Sequence, residues 1–142
     1  MASIDPDRCR QLVTEARVGR LGTVTPHGHP HLVPCCFAVI GETICSVVDG
    51  KPKSTTQLRR LDNIRSEPRA TLLVDHYDDD WSHLWWVRVD GRAQVVEQVD
   101  EYEMAVDALA AKYPQYRDRR PDGPLLALVA ERWTGWRFAD GP

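Results

Sequence analysis

The sequence predicts a single, mainly β domain with flanking helices, built on an antiparallel sheet. Short runs of alternating or β-branched residues recur along the chain. The first three runs are separated only by turn residues, at 26–29 and 41–42, which leaves no room for a crossover helix. An antiparallel barrel or an α+β domain is therefore favoured over a parallel sheet.

Six strands and three helices account for the whole pattern. The first helix begins at Pro6 with Asp5 as its cap, the second follows Ser54 and stops before Pro68, and the third starts from a capping box at Asp100. A glycine at position 91 interrupts the alternation of the fifth strand and indicates a bend or bulge. With no repeat or linker, residues 1–142 are expected to form one domain. The strands are expected at 18–25, 30–40, 43–48, 69–77, 84–97 and 125–138.

Composition narrows the class of partner. The chain is 42% hydrophobic and 27% charged, with a net charge of -3, so it is expected to be globular. It lacks the basic excess of a general nucleic-acid or membrane-surface binder. No apolar run approaches the roughly 20 residues that span a bilayer, and the first residues do not resemble a signal peptide. We therefore expect a cytoplasmic protein.

Metal, thiol and nucleotide motifs give weak signals. Three histidines alternate from His27 to His31 and could share one face of a strand, but two of them fall in a turn, so we predict no metal site. The four cysteines form no C-x-x-C pair, and we expect small buried thiols rather than a redox centre. No nucleophile elbow, Rossmann glycine pattern or P-loop is present.

The segment at 47–56 is the strongest local indication of a ligand. It combines a strand end, a tight turn, two lysines (Lys51 and Lys53) and a helix start at Ser54 and Thr55. The first turn of a helix has free N–H groups and a partial positive charge, and therefore attracts anions such as phosphate. An ordinary capped helix with solvated lysines is the alternative.

Adjacent tryptophans indicate a surface that needs a partner. Trp85 and Trp86 must face opposite sides of their strand, and only one of them can enter a one-sided core. We expect the other to lie at a dimer interface, since a domain of this size has limited core for its five tryptophans. Burial of both in a two-sided core is the alternative.

Five segments, in this order, resemble the pyridoxamine 5'-phosphate oxidase-like (FMN-binding split β-barrel) superfamily, and in particular its actinobacterial branch of F420-dependent oxidoreductases. They are Ala16-Arg17-Val18-Gly19-Arg20-Leu21-Gly22-Thr23-Val24, Gly28-His29-Pro30-His31-Leu32-Val33-Pro34-Cys35-Cys36-Phe37, Asp49-Gly50-Lys51-Pro52-Lys53, Leu61-x-Asn63-Ile64-x-x-x-Pro68-Arg69 and Trp85-Trp86-Val87-Arg88-Val89-Asp90-Gly91.

The resemblance implies a six-stranded antiparallel split β-barrel with flanking helices, forming a homodimer with two cofactor sites at the interface. It implies that the cofactor phosphate lies at the basic turn and that the ring lies against the second strand. A tryptophan of the other subunit, Trp85 or Trp86, would pack at the site. The cofactor-binding residues so implied are Lys51, Lys53, Ser54, Thr55, Val33, Pro34, Cys35 and Trp85.

The function implied is hydride transfer from reduced coenzyme F420 to a small conjugated or aromatic acceptor. Two alternatives remain: an FMN-dependent oxidase or reductase of the same fold, and a non-catalytic deazaflavin- or tetrapyrrole-binding protein. The sequence does not single out a catalytic residue, and His76, Tyr77 and Arg88 stay open as sources of a proton.

Overall fold

The structure, a computed structural model, describes residues 2–48 and 55–138, and for residues 55–58 it describes the backbone alone. Helices in this part of the chain are α1 (Pro6–Glu15), α2 (Thr55–Ser66), α3 (Val99–Lys112) and α4 (Pro114–Asp118). The strands are β1 (Ala2–Ile4), β2 (Gly19–Val24), β3 (Pro30–Cys35), β4 (Ala38–Ile40), β5 (Thr43–Val47), β6 (Arg69–His76), β7 (Trp85–Val95) and β8 (Leu125–Arg137).

The predicted fold class is confirmed: the strands form one antiparallel sheet in the order β3-β2-β6-β7-β8-β5-β4, with β1 paired to β8. The described residues form eight strands rather than the six expected. One addition is the short β1. The other arises because the strand expected at 30–40 is broken into β3 and β4 by Cys36 and Phe37.

The observed helix starts agree only in part with those predicted from the sequence. Asp5 caps α1 as predicted, since its carboxylate accepts a hydrogen bond of 3.0 Å from the Arg8 N–H. The capping box expected at Asp100 is wrong: α3 begins at Val99, its cap position is Gln98, and no side chain caps it. A short helix, α4, follows α3 directly and is a fourth helix where three were expected.

Burial on both sides of the central strands explains their composition. Leu126 and Leu128 of β8 belong to a core cluster with Leu72 of β6 and Val87 of β7. Their neighbours in β8, Leu125 and Ala127, face the other way and pack with residues of α3 in a second cluster. Four consecutive apolar residues are therefore buried, as expected for a strand between two apolar layers.

Gly91 produces the predicted bulge. The register of β7 against β8 shifts between Asp90 and Gly91. A Cβ atom at position 91 would collide with the backbone carbonyl of Val129, so only glycine fits there.

The Tyr113 hydroxyl links the two ends of the sheet where β3 is followed by β4, a junction at Cys36 and Phe37 that we call the seam. β3 and β4 are the outermost strands of the sheet order, yet only Cys36 and Phe37 separate them in sequence. The buried Tyr113 hydroxyl accepts a hydrogen bond of 3.1 Å from the Phe37 N–H and lies 3.0 Å from the Arg17 carbonyl and 3.1 Å from the Phe37 carbonyl. The Ser46 hydroxyl donates to the Cys36 carbonyl over 2.8 Å. The backbone at the seam is thus satisfied by side chains.

None of the helices in the described part of the chain combines the length and the apolar character needed to cross a membrane.

Loss of the hydrogen bonds at the seam is predicted to lower the stability of the protein. Tyr113→Phe keeps the ring but removes the hydroxyl, which leaves the buried backbone N–H of Phe37 without its partner. We expect the free energy of unfolding to fall by about 1–3 kcal/mol in urea denaturation. The matched control is Tyr77→Phe, which removes a hydroxyl from a side chain that is 63% exposed. Equal effects of the two substitutions would contradict the role given to Tyr113.

Candidate functional site

The outer face of the sheet carries the described surface that most resembles a ligand or partner site. Strand register places side chains of β3, β2, β6 and β7 in rows across this face. One row runs from Pro34 through Arg20 and Leu73 to Arg88, and a neighbouring row pairs Asp75 with Trp86. These side chains lie opposite the core because side chains alternate between the faces of a strand.

A shallow cleft of about 560 Å³ lies on this face. Gly22 lies in this cleft and presents no side chain between Leu32 of β3 and Thr71 of β6. A Cβ atom at Gly22 would meet neighbours at 3.7 and 3.8 Å, an ordinary contact, so the fold does not require glycine here. The cleft lining is Arg20, Gly22, Leu32, Thr71, Leu73, Asp75, Tyr77, Trp86 and Arg88.

Arg88 is held in a fixed orientation on the outer face. Its Nε atom donates to the Asp90 carboxylate over 3.2 Å, and the Thr71 hydroxyl donates to the other oxygen of the same carboxylate over 2.8 Å. The guanidinium carbon lies 5.7 Å from the centre of the Trp86 ring, within cation–π range. A cation and an aromatic face are therefore presented together at the cleft.

The outer face also carries large apolar side chains that are exposed to solvent. Leu32 and Tyr77 are 70% and 63% exposed, and both line the cleft. Contiguous exposed apolar side chains with a polar rim are typical of a binding surface rather than of ordinary protein surface.

The residues predicted on the second strand divide between two faces. Pro34 is exposed on the outer face beside Arg20, whereas Val33 packs against the core and Cys35 is buried. In the described part of the chain β3 pairs only with β2, so backbone groups along its other edge face no strand. Such an edge can hydrogen-bond a flat heterocycle, to which Pro34 offers only a carbonyl.

Cys35 has the properties of a structural thiol. Burial raises the pKa of its thiol to about 11, and the charge of Arg60 is the largest of the smaller effects that lower it. A thiol with so high a pKa is not a nucleophile at neutral pH.

The two tryptophans face opposite sides, as predicted. Trp86 lies on the outer face, whereas Trp85 packs against the core. Trp85 also borders a separate cleft of about 400 Å³, shared with Arg8 of α1 and with Arg137 at the end of β8. Trp85, the tryptophan named as a cofactor-binding residue from the sequence, thus lies away from the outer-face cleft, and its contact with a cofactor stays a prediction.

The basic turn lies outside the described residues, and this applies to Lys51, Lys53 and Ser54. Thr55 is the first residue of α2, so a helix does begin directly after the turn. The helix is anchored to the sheet through the buried Asn63, whose Nδ2 donates to the Thr23 hydroxyl over 3.0 Å. The role of the turn as an anion site stays a prediction.

Some residues of the outer face were not predicted as site residues. Arg20, Leu32 and Asp75 line the cleft, although the sequence analysis did not select them. Because side chains alternate between the two faces of a strand, these residues could have been assigned to the outer face once the buried face was known. Which face is buried follows from Leu21 and Leu72, the neighbours that enter the core.

Comparisons with known proteins agree with this architecture. The antiparallel split barrel, with its open strand edge and its exposed outer face, defines the structural class of this protein. The family model described as pyridoxamine 5'-phosphate oxidase matches residues 5–137, and the chain belongs to this family. Comparison with curated protein sequences finds no match.

Solved structures share the fold at low identity. A conserved hypothetical protein of Mycobacterium tuberculosis superposes with a TM-score of 0.77 at 22% identity, over 98% of this chain and 93% of that one. An FAD binding protein of Mycobacterium smegmatis gives 0.70 at 18% identity, over 97% and 100%. A heme binding protein of Mycobacterium smegmatis gives 0.74 at 19% identity, over 94% and 55%. These likenesses establish the fold.

The loop between β6 and β7 contains a histidine–aspartate cluster. One oxygen of the Asp78 carboxylate lies 3.1 Å from His76 Nε2 and 3.0 Å from His83 Nδ1. The Asp80 carboxylate accepts from the Ser82 N–H over 3.0 Å. Hydrogen bonding to Asp78 and the charges of Asp80 and Asp78 raise the pKa of His83, while hydrogen bonding to His83 lowers the pKa of Asp78.

This cluster predicts a pH dependence. His83 has a raised pKa in the fold, so its stabilising contribution is complete below the ordinary value of 6.5 and is lost as pH rises through the raised pKa. Asp78 has a lowered pKa, so its contribution is present above 3.8 and is lost as pH falls. In an NMR titration of the imidazole protons we expect His83 to titrate above 6.5.

The matched variant is Asp78→Asn, which keeps the size of the side chain but removes its charge. The pKa of His83 should fall in this variant, because the charge that favours the imidazolium form is removed. An unchanged His83 titration would show that Asp78 does not hold the imidazole in solution.

Proposed function

We propose that the protein binds a phosphate-bearing flavin-type cofactor, coenzyme F420, along β3 in a homodimer, and that it acts as an oxidoreductase on a small conjugated or aromatic acceptor. The open edge of β3 beside the outer-face cleft carries the proposal, because it supplies backbone hydrogen-bonding groups next to apolar and cationic side chains. Membership of the pyridoxamine 5'-phosphate oxidase family supports a cofactor of this kind.

The residues present fit such a cofactor. A ring system against β3 would meet backbone groups at 33–35 and the exposed ring of Pro34. Its phosphate would be held by Lys51, Lys53, Ser54 and Thr55, the residues chosen from the sequence. Arg88, oriented by Asp90, would add a fixed cation on the outer face. In two mycobacterial neighbours the names refer to FAD and to heme, which are likewise large, flat and anionic ligands.

When bound, a reduced deazaflavin supplies the hydride, and the protein supplies position and environment. The outer face of a single chain is open, so a second copy packed on the same face would exclude water from the ring. Exposed Leu32 and Tyr77 would then be buried between the two copies. Because the cofactor supplies the hydride, that step requires no acid–base pair of side chains at the cleft.

Cofactor identity is tested by titrating the purified protein with F420 and, separately, with FMN. We expect binding of F420 at micromolar concentration and weaker binding of FMN. Tight binding of FMN with no binding of F420 would favour the FMN alternative. Tight binding of either cofactor without turnover of enones, quinones or biliverdin would favour the non-catalytic alternative.

The phosphate contact is tested with the double substitution Lys51→Ala/Lys53→Ala. Each lysine contributes about 0.3–2 kcal/mol at a helix start, so affinity should fall by between about threefold and several hundredfold. The control is Arg65→Ala/Arg119→Ala, which removes the same charge from two exposed positions elsewhere. Equal affinities in the two double variants would place the phosphate away from the turn.

The dimer is tested at Leu32, which is 70% exposed on the outer face. Leu32→Glu should leave the fold of one chain intact, but it would place a charge inside the proposed interface. Dimer dissociation in analytical ultracentrifugation should become about tenfold or more easier. Met104→Glu is the matched control, because Met104 is 60% exposed on α3. If both variants dimerise like the parent, the outer face is not the interface.

A further inference from the structure

The cleft of about 400 Å³ beside Trp85 is separate from the outer-face cleft. It lies between β1, the start of α1, the loop before β7 and the end of β8. Trp85 borders it from the core side of the sheet, whereas Trp86 points to the outer face. The two clefts have no described lining residue in common, so we call this one the Trp85 cleft.

The buried part of the Trp85 cleft is apolar. Ile4 belongs to the first core cluster, and Leu12 and Trp85 pack against that cluster. Leu84 is buried beside them, and its carbonyl accepts a hydrogen bond of 3.0 Å from the Phe138 N–H. That bond keeps the aromatic residue Phe138 at the same cleft. A hydrocarbon ring of a ligand would therefore meet aliphatic and aromatic side chains here.

Two arginines from different elements line the same cleft. Arg137 is the last residue of β8, where it pairs with Trp85 of β7 on one side and with Ala2 of β1 on the other. Paired residues of neighbouring antiparallel strands lie on the same face, so Arg137 leaves the sheet on the side of Trp85. Arg8 comes from the first turn of α1, and both arginines are exposed. The cleft therefore presents two guanidinium groups beside an indole ring.

The carboxylate that lines the cleft has a structural role. Asp5 caps α1, and its side chain accepts a hydrogen bond of 3.0 Å from the backbone N–H of Arg8. This bond uses the main chain of Arg8 and leaves its guanidinium group to point elsewhere. The hydroxyl of Ser82, which also lines the cleft, donates to the Asp80 carboxylate over 2.7 Å.

We propose that the Trp85 cleft binds a small aromatic anion, with its ring against Trp85 and its oxyanion on Arg8 and Arg137. Guanidinium groups match the geometry of carboxylate and phosphate oxygens, and aromatic rings pack well against an indole. A volume of about 400 Å³ is in the range of sites for small molecules. The inference goes beyond the proposed function, because this cleft includes neither the edge of β3 nor the turn at 51–54. The oxyanion has two sources, an aromatic carboxylic acid or an aromatic phosphate ester.

The indole N–H signals provide a site-specific measurement. The chain contains five tryptophans, each of which gives one indole signal in a ¹H–¹⁵N NMR spectrum. Trp85→Phe and Trp86→Phe assign the two signals that matter. The purified protein is titrated, without added flavin, with benzoate, with phenyl phosphate and with benzylamine as a cationic control. Benzoate or phenyl phosphate should shift the signal of Trp85 with a Kd of about 1 mM or lower, whereas benzylamine should not.

The two arginines are tested one at a time. Arg8→Gln and Arg137→Gln should each weaken binding of the anion about tenfold or more, because each removes a charge-assisted contact. Arg8→Lys and Arg137→Lys keep the charge and should lose less affinity than the glutamine variants. The matched control is Arg119→Gln, because Arg119 is exposed at the end of α4.

A response to benzoate alone identifies an aromatic carboxylic acid as the source, a response to phenyl phosphate alone identifies a phosphate ester, and a response to both supports a general oxyanion site. A Trp85 signal that neither anion shifts, or that benzylamine shifts equally, would overturn the proposal. Equal affinities in the Arg8, Arg137 and Arg119 variants would do the same.

A competition experiment separates this site from the cofactor site. F420 or FMN, added to the protein saturated with benzoate, should leave the Trp85 signal at its benzoate-bound position. Displacement of benzoate by either cofactor would overturn the separate site and would show that the cofactor itself occupies the Trp85 cleft. Failure of both cofactors to bind would contradict the proposed function and leave the benzoate result unaffected.

Discussion

The hydroxyl of Tyr113 is the contact on which the arrangement of the β3 end depends. β3 and β4 would otherwise form one strand, and a straight strand of that length could not serve as both ends of the same curved sheet. The break at Cys36 and Phe37 exposes backbone groups that strand pairing no longer satisfies. One hydroxyl 76 residues away in sequence accepts from Phe37 N–H and lies within hydrogen-bond distance of two carbonyls. Removal of this hydroxyl would therefore affect several backbone groups at the junction of β3 and β4, and not one hydrogen bond alone.

The same contact also determines what surrounds the site. Because Tyr113 follows α3 directly, closing the seam brings the end of that helix, and with it Lys112, to Phe37. Arg17 is drawn to the same place through its carbonyl and through the face of the Tyr113 ring. The proximity of Arg17 and Lys112 is thus a consequence of how the barrel closes.

Sequence reasoning succeeded where the cause was local. The Asp5 cap, the bulge at Gly91 and the opposite orientations of Trp85 and Trp86 follow from the residues within a few positions. The break between β3 and β4 could not be predicted in this way, because residues 30–40 form one uninterrupted strand-like pattern and the group that stabilises the break, Tyr113, follows α3. The cap expected at Asp100 failed because Gln98 takes the cap position and the helix begins one residue before the aspartate.

The candidate site shows even more clearly the difference between features with a local cause and features that depend on distant residues. Pro34 and Cys35 were chosen as neighbours in sequence, but alternation sends one to the outer face and the other into the core. The side chains that complete the outer face come from β2, β6 and β7, and no local motif links them. Arg88 acquires its orientation from Thr71 of another strand through the carboxylate of Asp90. A site assembled from register across four strands is visible only once the sheet order is known.

An open strand edge and an exposed apolar face are costly features for a soluble protein, because each invites association. Natural sheets usually protect an edge with charge, yet β3 has none between Pro30 and Cys35 apart from the ionisable ring of His31. The cations of the cleft on this surface instead lie one and three strands further in, on Arg20 and Arg88. That placement leaves the edge apolar while fixing cations beside it. It suits an edge that is covered by a flat, anionic ligand and a second chain better than one that remains in water.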